Sequence, residues 1–291
     1  MDLPLVVQLV VNGLSMGMIY VLLASGFNLI LSTPKILFIA YGEFYMLGAF
    51  IFYGLAHELE LPLVVALCLA TLATAILGGV VYKLIFQRIK GHFLAMIVAA
   101  IGLMMLMAQG TMLVFGTHAR GMPSIFTGMI IVGGIRIPVE RAVLIIIALA
   151  VLVGLHLLLQ RTNIGRAMRA VSFNADVAAL QGVNSNRTCL LTMVVGCALA
   201  GFAGAIMTPV FAVSPGMGAI TFLVLMVVML GGIGSMVGAI VAGLVLGVTL
   251  SFGQYSVGGG VAQIIFFAVI AILIFFRPGG LLGQAMEEVP P

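Results

Sequence analysis

From Thr188 to Phe276 the chain contains no Asp, Glu, Lys or Arg, and neither does the stretch from Ala142 to Gln160. Between them lies RTNIGRAMRAVSFNADVAALQGVNSNR, residues 161–187, which carries Arg161, Arg166, Arg169, Asp176 and Arg187. Apolar runs of this length dissolve in lipid, so the charged island between them is stranded at a membrane surface. The rest of the chain agrees. Charged residues make up 7% of the 291, against roughly 25% in a soluble domain, so there is too little charge to cover a water-facing surface. The runs are continuously apolar rather than alternating, which specifies helices and not a barrel. Phe93–Phe115 is uncharged and as a helix extends roughly 35 Å, enough to cross a hydrocarbon core of about 30 Å. The start, MDLPLVVQLV, lacks a basic leader and runs straight into a long first span, so no cleavable signal is expected.

The expected fold is an all-α polytopic membrane protein, a single transmembrane domain over 1–291 with the 161–187 loop inside it. Spans are expected at 5–31, 36–56, 62–86, 93–116, 142–160, 188–212, 218–232, 235–254 and 260–276. The seventh is short, and GGIGS (231–235) reads as a break inside the membrane rather than an outside turn. The count is eight or nine, or ten if a broken segment is divided. Basic residues set the orientation. With the island in the cytoplasm, inside ends and loops collect Lys35, Lys83, Arg88, Lys90, Arg161, Arg166, Arg169, Arg187 and Arg277, while the outside keeps Arg120, Arg136 and Arg141. The C-terminus is then inside and, for nine spans, the N-terminus outside. The loop 117–141 is the main external loop, a compact cap. The net charge of +4 reports this asymmetry and does not point to nucleic acid.

Small residues recur every four positions in several spans. One ladder is Thr188, Thr192, Gly196, Ala200, Gly204 and Thr208; another is Ser235, Ala239, Gly243, Gly247 and Ser251; Gly13 and Gly17 begin a third, continued by Ala24 and Asn28. Such spacing lets helix backbones approach closely. The ladders pack helices within one subunit, or turn one face toward a second subunit or a transport path; both readings stand at this level. Cys68, Cys189 and Cys197 fall in apolar runs and are expected as free, buried thiols. His57, His92, His118 and His156 are scattered, and no metal-ligand spacing appears.

Within the island, Asn163 is placed to cap a helix starting near Ile164, and Gly182 to stop it. Met168, Val171, Ala175, Ala178 and Ala179 recur at helical spacing, with Arg166, Arg169 and Asp176 on or beside the polar side. The pattern is a short amphipathic helix on the cytoplasmic surface: either an interfacial anchor among lipid headgroups or a docking helix for a cytoplasmic motor.

TNIGRAMRAVSFNADVAALQGVN resembles the cytoplasmic loop of branched-chain amino-acid ABC transporter permeases, the LivH/LivM group, through Gly165, Arg166, Arg169, Asp176, Ala178, Ala179, Gly182, Val183 and Asn184. NGLSMGMIYVLLASGFNLI (12–30), AYGEFYMLGAF (40–50), GCALAGFAGAIMTPVFAVSPGMG (196–218), LGGIGSMVGAIVAGLVLG (230–247) and RPGGLLG (277–283) resemble further segments of that family in order, and the LivH-type subunit slightly better. Tyr41 stands where the family often has His, and the stretch between Pro215 and Gly231 is a few residues shorter.

The resemblance implies an inner-membrane permease subunit of an ATP-driven importer, paired with a second permease subunit, two cytoplasmic ATP-binding subunits and a periplasmic solute-binding protein. It implies branched-chain amino acids as solute, with urea, short amides or other amino acids as the alternatives. It implies coupling through Gly165, Arg166, Arg169, Asp176, Ala179 and Gly182, and a path or gate near Asn12, Tyr41, Glu43, Pro209, Pro215 and Gly232. No cofactor is expected on this chain; ATP and Mg belong to the partners. The sequence agrees on one point: there is no GxxxxGK[ST], and none of Lys35, Lys83 and Lys90 precedes Ser or Thr. An ion-coupled carrier or channel is the rival of a different class. It needs ionisable groups within spans, and Glu43 is the one candidate, otherwise an interfacial carboxylate near Lys35. A membrane enzyme lacks any visible nucleophile–base pair.

Overall fold

The computed structural model describes residues 3–123, 128–132 and 135–276. Helix α1 (Leu3–Ser32) is 30 residues long, roughly 45 Å, so it tilts across the membrane or projects beyond it. Pro34 follows, and the chain runs non-helically to Ala40, with Lys35 at φ 55°. Helix α2 (Tyr41–Tyr53) therefore begins five residues later than the apolar run predicts, because the proline offers no N–H to continue a helix. A π-helical turn, Gly54–Glu58, extends it. Then come α3 (Leu63–Val81), prolonged by a second such turn at Tyr82–Phe86, and α4 (Phe93–Phe115).

The segment between α4 and the next long helix contains a hairpin, the one departure in named elements among the described residues from an all-helical chain. Strand β1 (Met129–Val132) pairs antiparallel with β2 (Ile135–Pro138), Ile130 opposite Ile137. Arg120 pairs with Val213 in an isolated bridge at the same end and holds Glu58 at 2.8 Å. Helix α5 (Val139–Arg161) leads to the island, which forms α6 (Asn163–Phe173) and α7 (Ala175–Leu180). Helices α8 (Ser185–Met207), α9 (Ile220–Gly231), α10 (Met236–Val257) and α11 (Gly259–Phe276) complete the chain. Among the described residues, nine apolar helical segments overlap the listed stretches, for which eight, nine or ten spans are expected. Six of them, α1, α3 with its π turn, α4, α5, α8 and α10, are long and apolar enough to cross a membrane alone. The ending RPGGLLG, with Arg277 and the C-terminus, lies outside the described residues.

The small-residue ladders face inward. Thr188, Thr192, Gly196, Ala200, Gly204 and Thr208 are all buried, which puts α8 at the centre. Its Gly196 meets Ile30 of α1, its Gly201 meets Thr74 of α3, and its Gly204 lies against the backbone of Tyr45 and Ala49 in α2. A side chain at any of these three positions would overlap a neighbour. The second and third ladders lock together: Gly13 abuts Val248, Gly17 abuts Gly247, Gly243 abuts Val21, and Ser251 Oγ donates to Leu9 O at 2.8 Å. Backbone-to-backbone approach of this kind replaces the hydrophobic drive that lipid cannot supply. Cys189 and Cys197 are buried as expected, but Cys68 is exposed on the outer face of α3, beside Val64, Val65, Leu69 and Leu72. An apolar run marks a lipid-soluble helix without telling which side of it faces the protein.

Candidate functional site

The island folds from local rules. Thr162, not Asn163, caps α6: its Oγ1 accepts from Gly165 N at 3.1 Å, while Asn163 enters the first turn and its side chain accepts from Arg166. The expected single helix is broken at Asn174, whose backbone is extended (φ −154°, ψ 113°) and whose Oδ1 caps α7 at the N–H groups of Asp176 and Val177, 2.9 and 3.1 Å away. An asparagine that can bond its own downstream backbone competes with helix continuation. Gly182 does stop the segment. At φ 82° its N–H reaches Ala179 O at 3.0 Å and the Val183 N–H reaches Ala178 O at 3.0 Å, the paired bonds of a Schellman ending.

The inward face of the island is Gly165, Met168, Val171 and Ala178, all buried. Gly165 packs directly on the backbone of Leu158 and Leu159, leaving no room for a side chain where α5 turns into α6. Arg169 Nη1 donates to Gln160 Oε1 at 2.7 Å, and Ser185 Oγ donates to Ala175 O at 3.2 Å. The island is thereby fixed to the last turn of α5 and the first of α8. The outward face carries Arg166, Arg169, Asp176 and Ala179. Ala179 is exposed, so it is not part of the apolar seat that its spacing predicts; the break at Asn174 rotates α7 relative to α6. Phe173, Val177 and Leu180 are also outward, at 91%, 50% and 88% exposure. The sequence reading overlooks these three, although large apolar residues interrupting the polar face of a short helix are the signal that would find them.

Behind the island a cavity of about 330 Å³ reaches into the helical core. It is walled by Ser25 and Asn28 of α1, His156 and Gln160 of α5, Arg169, and Ser235 before α10. Asn28 is its main fixed point: its Oδ1 accepts from Gly234 N at 2.7 Å and its Nδ2 donates to Ser235 O at 3.1 Å. The side chain thus ties α1 to GGIGS. That motif is a reversal between α9 and α10 rather than a break within one helix. Gly232 (φ 97°) ends α9, Gly234 takes φ 85°, and Gly231 and Gly238 touch across the turn.

Helices α2 and α9 are half-length, about 20 Å each, and their first turns meet. Gly42 N–H donates to Thr221 Oγ1 at 2.7 Å. Glu43, in the first turn of α2, is only 5% exposed, lies against Gly218, and has Oε2 without a hydrogen-bond partner among the described residues. The non-helical segment before α2 separates it from exposed Lys35, and the carboxylate is enclosed by the protein. Pro215 is buried in the stretch that leads to this junction, whereas Pro209 lines a separate apolar cavity between α3, α5 and α8. Tyr41 is fully buried; its hydroxyl donates to Gly196 O at 3.2 Å and its ring meets Phe27 edge-on at 5.4 Å. It pins α1, α2 and α8 together. Asn12 lines a polar cavity between α1 and α10, at the hairpin end. Tyr41 and Glu43 thus share the first turn of α2, Pro215 lies on the stretch leading into α9, and Asn12, Pro209 and Gly232 lie at three other places.

Residues 9–276 match the family profile described as branched-chain amino acid transport system / permease component. The chain belongs to this family. Among curated relatives, the high-affinity branched-chain amino acid transport system permease protein BraD of Pseudomonas aeruginosa is 29% identical over 97% of both chains. LivH of Salmonella typhimurium is 27% identical over 97% of this chain and 96% of its own. LivM of the same organism is 27% identical over 94% of this chain and 70% of its own. No solved structure matches. The match to LivH and BraD runs the full length of the helical core, so this is a LivH-type, multi-pass membrane permease.

Proposed function

We propose that this permease is the membrane subunit of an ATP-binding-cassette importer for branched-chain amino acids, working beside a second, LivM-like or identical permease subunit in the bacterial inner membrane. A periplasmic binding protein delivers the solute at the hairpin end, and two ATPases act on the island from the cytoplasm. One observation carries this reading. The island is fastened to α5 and α8 by its inner face, yet leaves a second apolar cluster, Phe173, Val177 and Leu180, uncovered by the chain's own residues, with Arg166 and Arg169 exposed on the same segment. A lipid-resting helix would turn its apolar residues toward the membrane. A docking helix keeps one apolar face for its own domain and a second for its partner. Force applied to α6 would reach the core at Gly165, through Arg169–Gln160, and across the cavity to the Asn28 clamp on α1, α9 and α10.

The LivH and BraD names supply the solute class, and the lack of a phosphate-binding motif agrees with hydrolysis on a partner. The test is ATPase activity of the reconstituted complex. Binding protein loaded with leucine, isoleucine or valine should stimulate hydrolysis, and binding protein offered urea or acetamide should not. Stimulation by urea or acetamide alone would reassign the solute. Absence of any associated ATPase would refute the importer reading.

A further inference from the structure

At the hairpin end, between α1, the first turn of α5 and the last turns of α10, lies a cavity of about 370 Å³. Its walls carry several polar side chains. Arg141 enters it from α5, Asn12 and Tyr20 from α1, and Gln254 from α10. Among the described residues the Arg141 guanidinium meets no carboxylate, and it and the Asn12 and Gln254 amides hydrogen-bond to no protein group. Arg141 stands in the first turn of α5 and turns into this cavity, and an ionisable group so placed faces a water-filled path or a partner charge. The guanidinium presents paired N–H donors whose spacing fits a carboxylate.

A second cavity, about 230 Å³, shares three of the same walls, Met16, Tyr20 and Phe211, and continues between Met207, Met217 and Ile220. Its lining is almost wholly apolar, and Met217 and Ile220 sit where α9 begins, beside the junction with α2. A polar chamber holding Arg141, which pairs with no carboxylate among the described residues, therefore adjoins an apolar chamber that ends at two half-helices. Together they are of a size ordinary for a small-molecule site of roughly 300–1,000 Å³.

We propose that these two chambers form the receiving site for an amino acid with an aliphatic side chain. Arg141 pairs with the carboxylate, assisted by the Asn12 and Gln254 amides, and the side chain enters the apolar chamber against Met217 and Ile220. The proposal rests on the importer reading and adds to it the residues that recognise the solute. It also accounts for an arginine on the basic-poor side of the membrane. A lipid phosphate is the other anion within reach of that position, and the experiment separates the two.

The complete transporter is reconstituted in vesicles of phosphatidylcholine alone, and in parallel with phosphatidylglycerol added. ATP-dependent uptake of leucine and valine is measured for wild type, Arg141→Gln, Arg141→Lys and Met217→Ala. Arg141→Gln should lower uptake at least tenfold in both lipids; Arg141→Lys should recover part of the uptake, because charge is kept and the paired donors are lost. Met217→Ala widens the apolar chamber and should raise leucine uptake relative to valine at least twofold. Wild-type uptake by Arg141→Gln, or a defect that appears only with phosphatidylglycerol, would overturn the proposal. Should Arg141→Gln fail to assemble, an unchanged leucine-to-valine ratio in Met217→Ala overturns it. A wild-type complex without ATP-dependent uptake of either solute would instead overturn the importer reading.

Discussion

Truncating the outward apolar pair of the island, Phe173→Ala with Leu180→Ala, should detach the ATPase without disturbing the permease. Both side chains are almost fully exposed, at 91% and 88%, so removing them costs the isolated fold nothing that packing supplies. Surface changes of this kind lie within about ±0.5 kcal/mol. Docking is a different matter. Full burial of a Phe or Leu side chain is worth ~1.5–3 kcal/mol, so the pair contributes up to ~3–6 kcal/mol to an interface. Burial of only half that surface still leaves about 2 kcal/mol, which is roughly 30-fold in affinity. The assay is titration of purified ATPase onto the permease in nanodiscs, read as the half-saturating concentration. The variant should need at least about 30-fold more ATPase. Charge reversal at Arg166 and Arg169 should also weaken docking, but with a dependence on salt that the apolar truncation lacks. ATPase affinity unchanged in the Phe173/Leu180 variant would refute the argument that this cluster is an interface.

Three further outcomes follow from the same coordinates. Gly204→Leu must displace the Tyr45 and Ala49 backbone and should abolish folded subunit, whereas Gly102→Leu on α4, where nothing lies within 4 Å, should be tolerated; thermal unfolding of the purified proteins compares them. Glu43→Gln keeps the shape packed on Gly218 and should retain assembly and substantial uptake, while Gly218→Ala places a methyl on the Glu43 carboxylate and should not; loss of uptake in an assembled Glu43→Gln complex would give the carboxylate itself a transport role. A cysteine at Ser185 should be labelled by an impermeant thiol reagent only from the cytoplasmic side, and one at exposed His118 only from the opposite side.

The helices were legible because lipid demands long uncharged runs; Pro34 follows the end of α1, Pro62 opens α3, and Gly116 and Gly258 end α4 and α10. The ladders were legible as close contacts, but not their partners: spacing shows that Gly243 is small, and only the fold shows that Val21 fills the space. The island's existence and its glycine stop were plain from composition. Its break at Asn174 was not, since an asparagine's choice between continuing a helix and capping the next turns on tertiary contacts at both ends. Glu43 was found as the lone acid of the early spans, yet its depth depended on the non-helical stretch after Pro34. Arg141 looked like an ordinary external basic residue because its cavity is assembled from α1, α5 and α10, far apart in sequence. Asn28 was visible as a rung of a ladder, and its role as a clamp on GGIGS required the fold.

The central claim is that transport runs on ATP hydrolysed by a partner docked at 161–187. It is tested by leucine uptake into vesicles that hold either the chain alone or the chain with its second permease, ATPases and binding protein, each energised by ATP or by a proton gradient. Accumulation should occur only in the complete assembly with ATP, and should be lost in the Arg166→Glu/Arg169→Glu variant while basal hydrolysis persists. Accumulation by the chain alone under a proton gradient, without ATP and abolished by Glu43→Gln, would contradict it and make this chain an ion-coupled carrier.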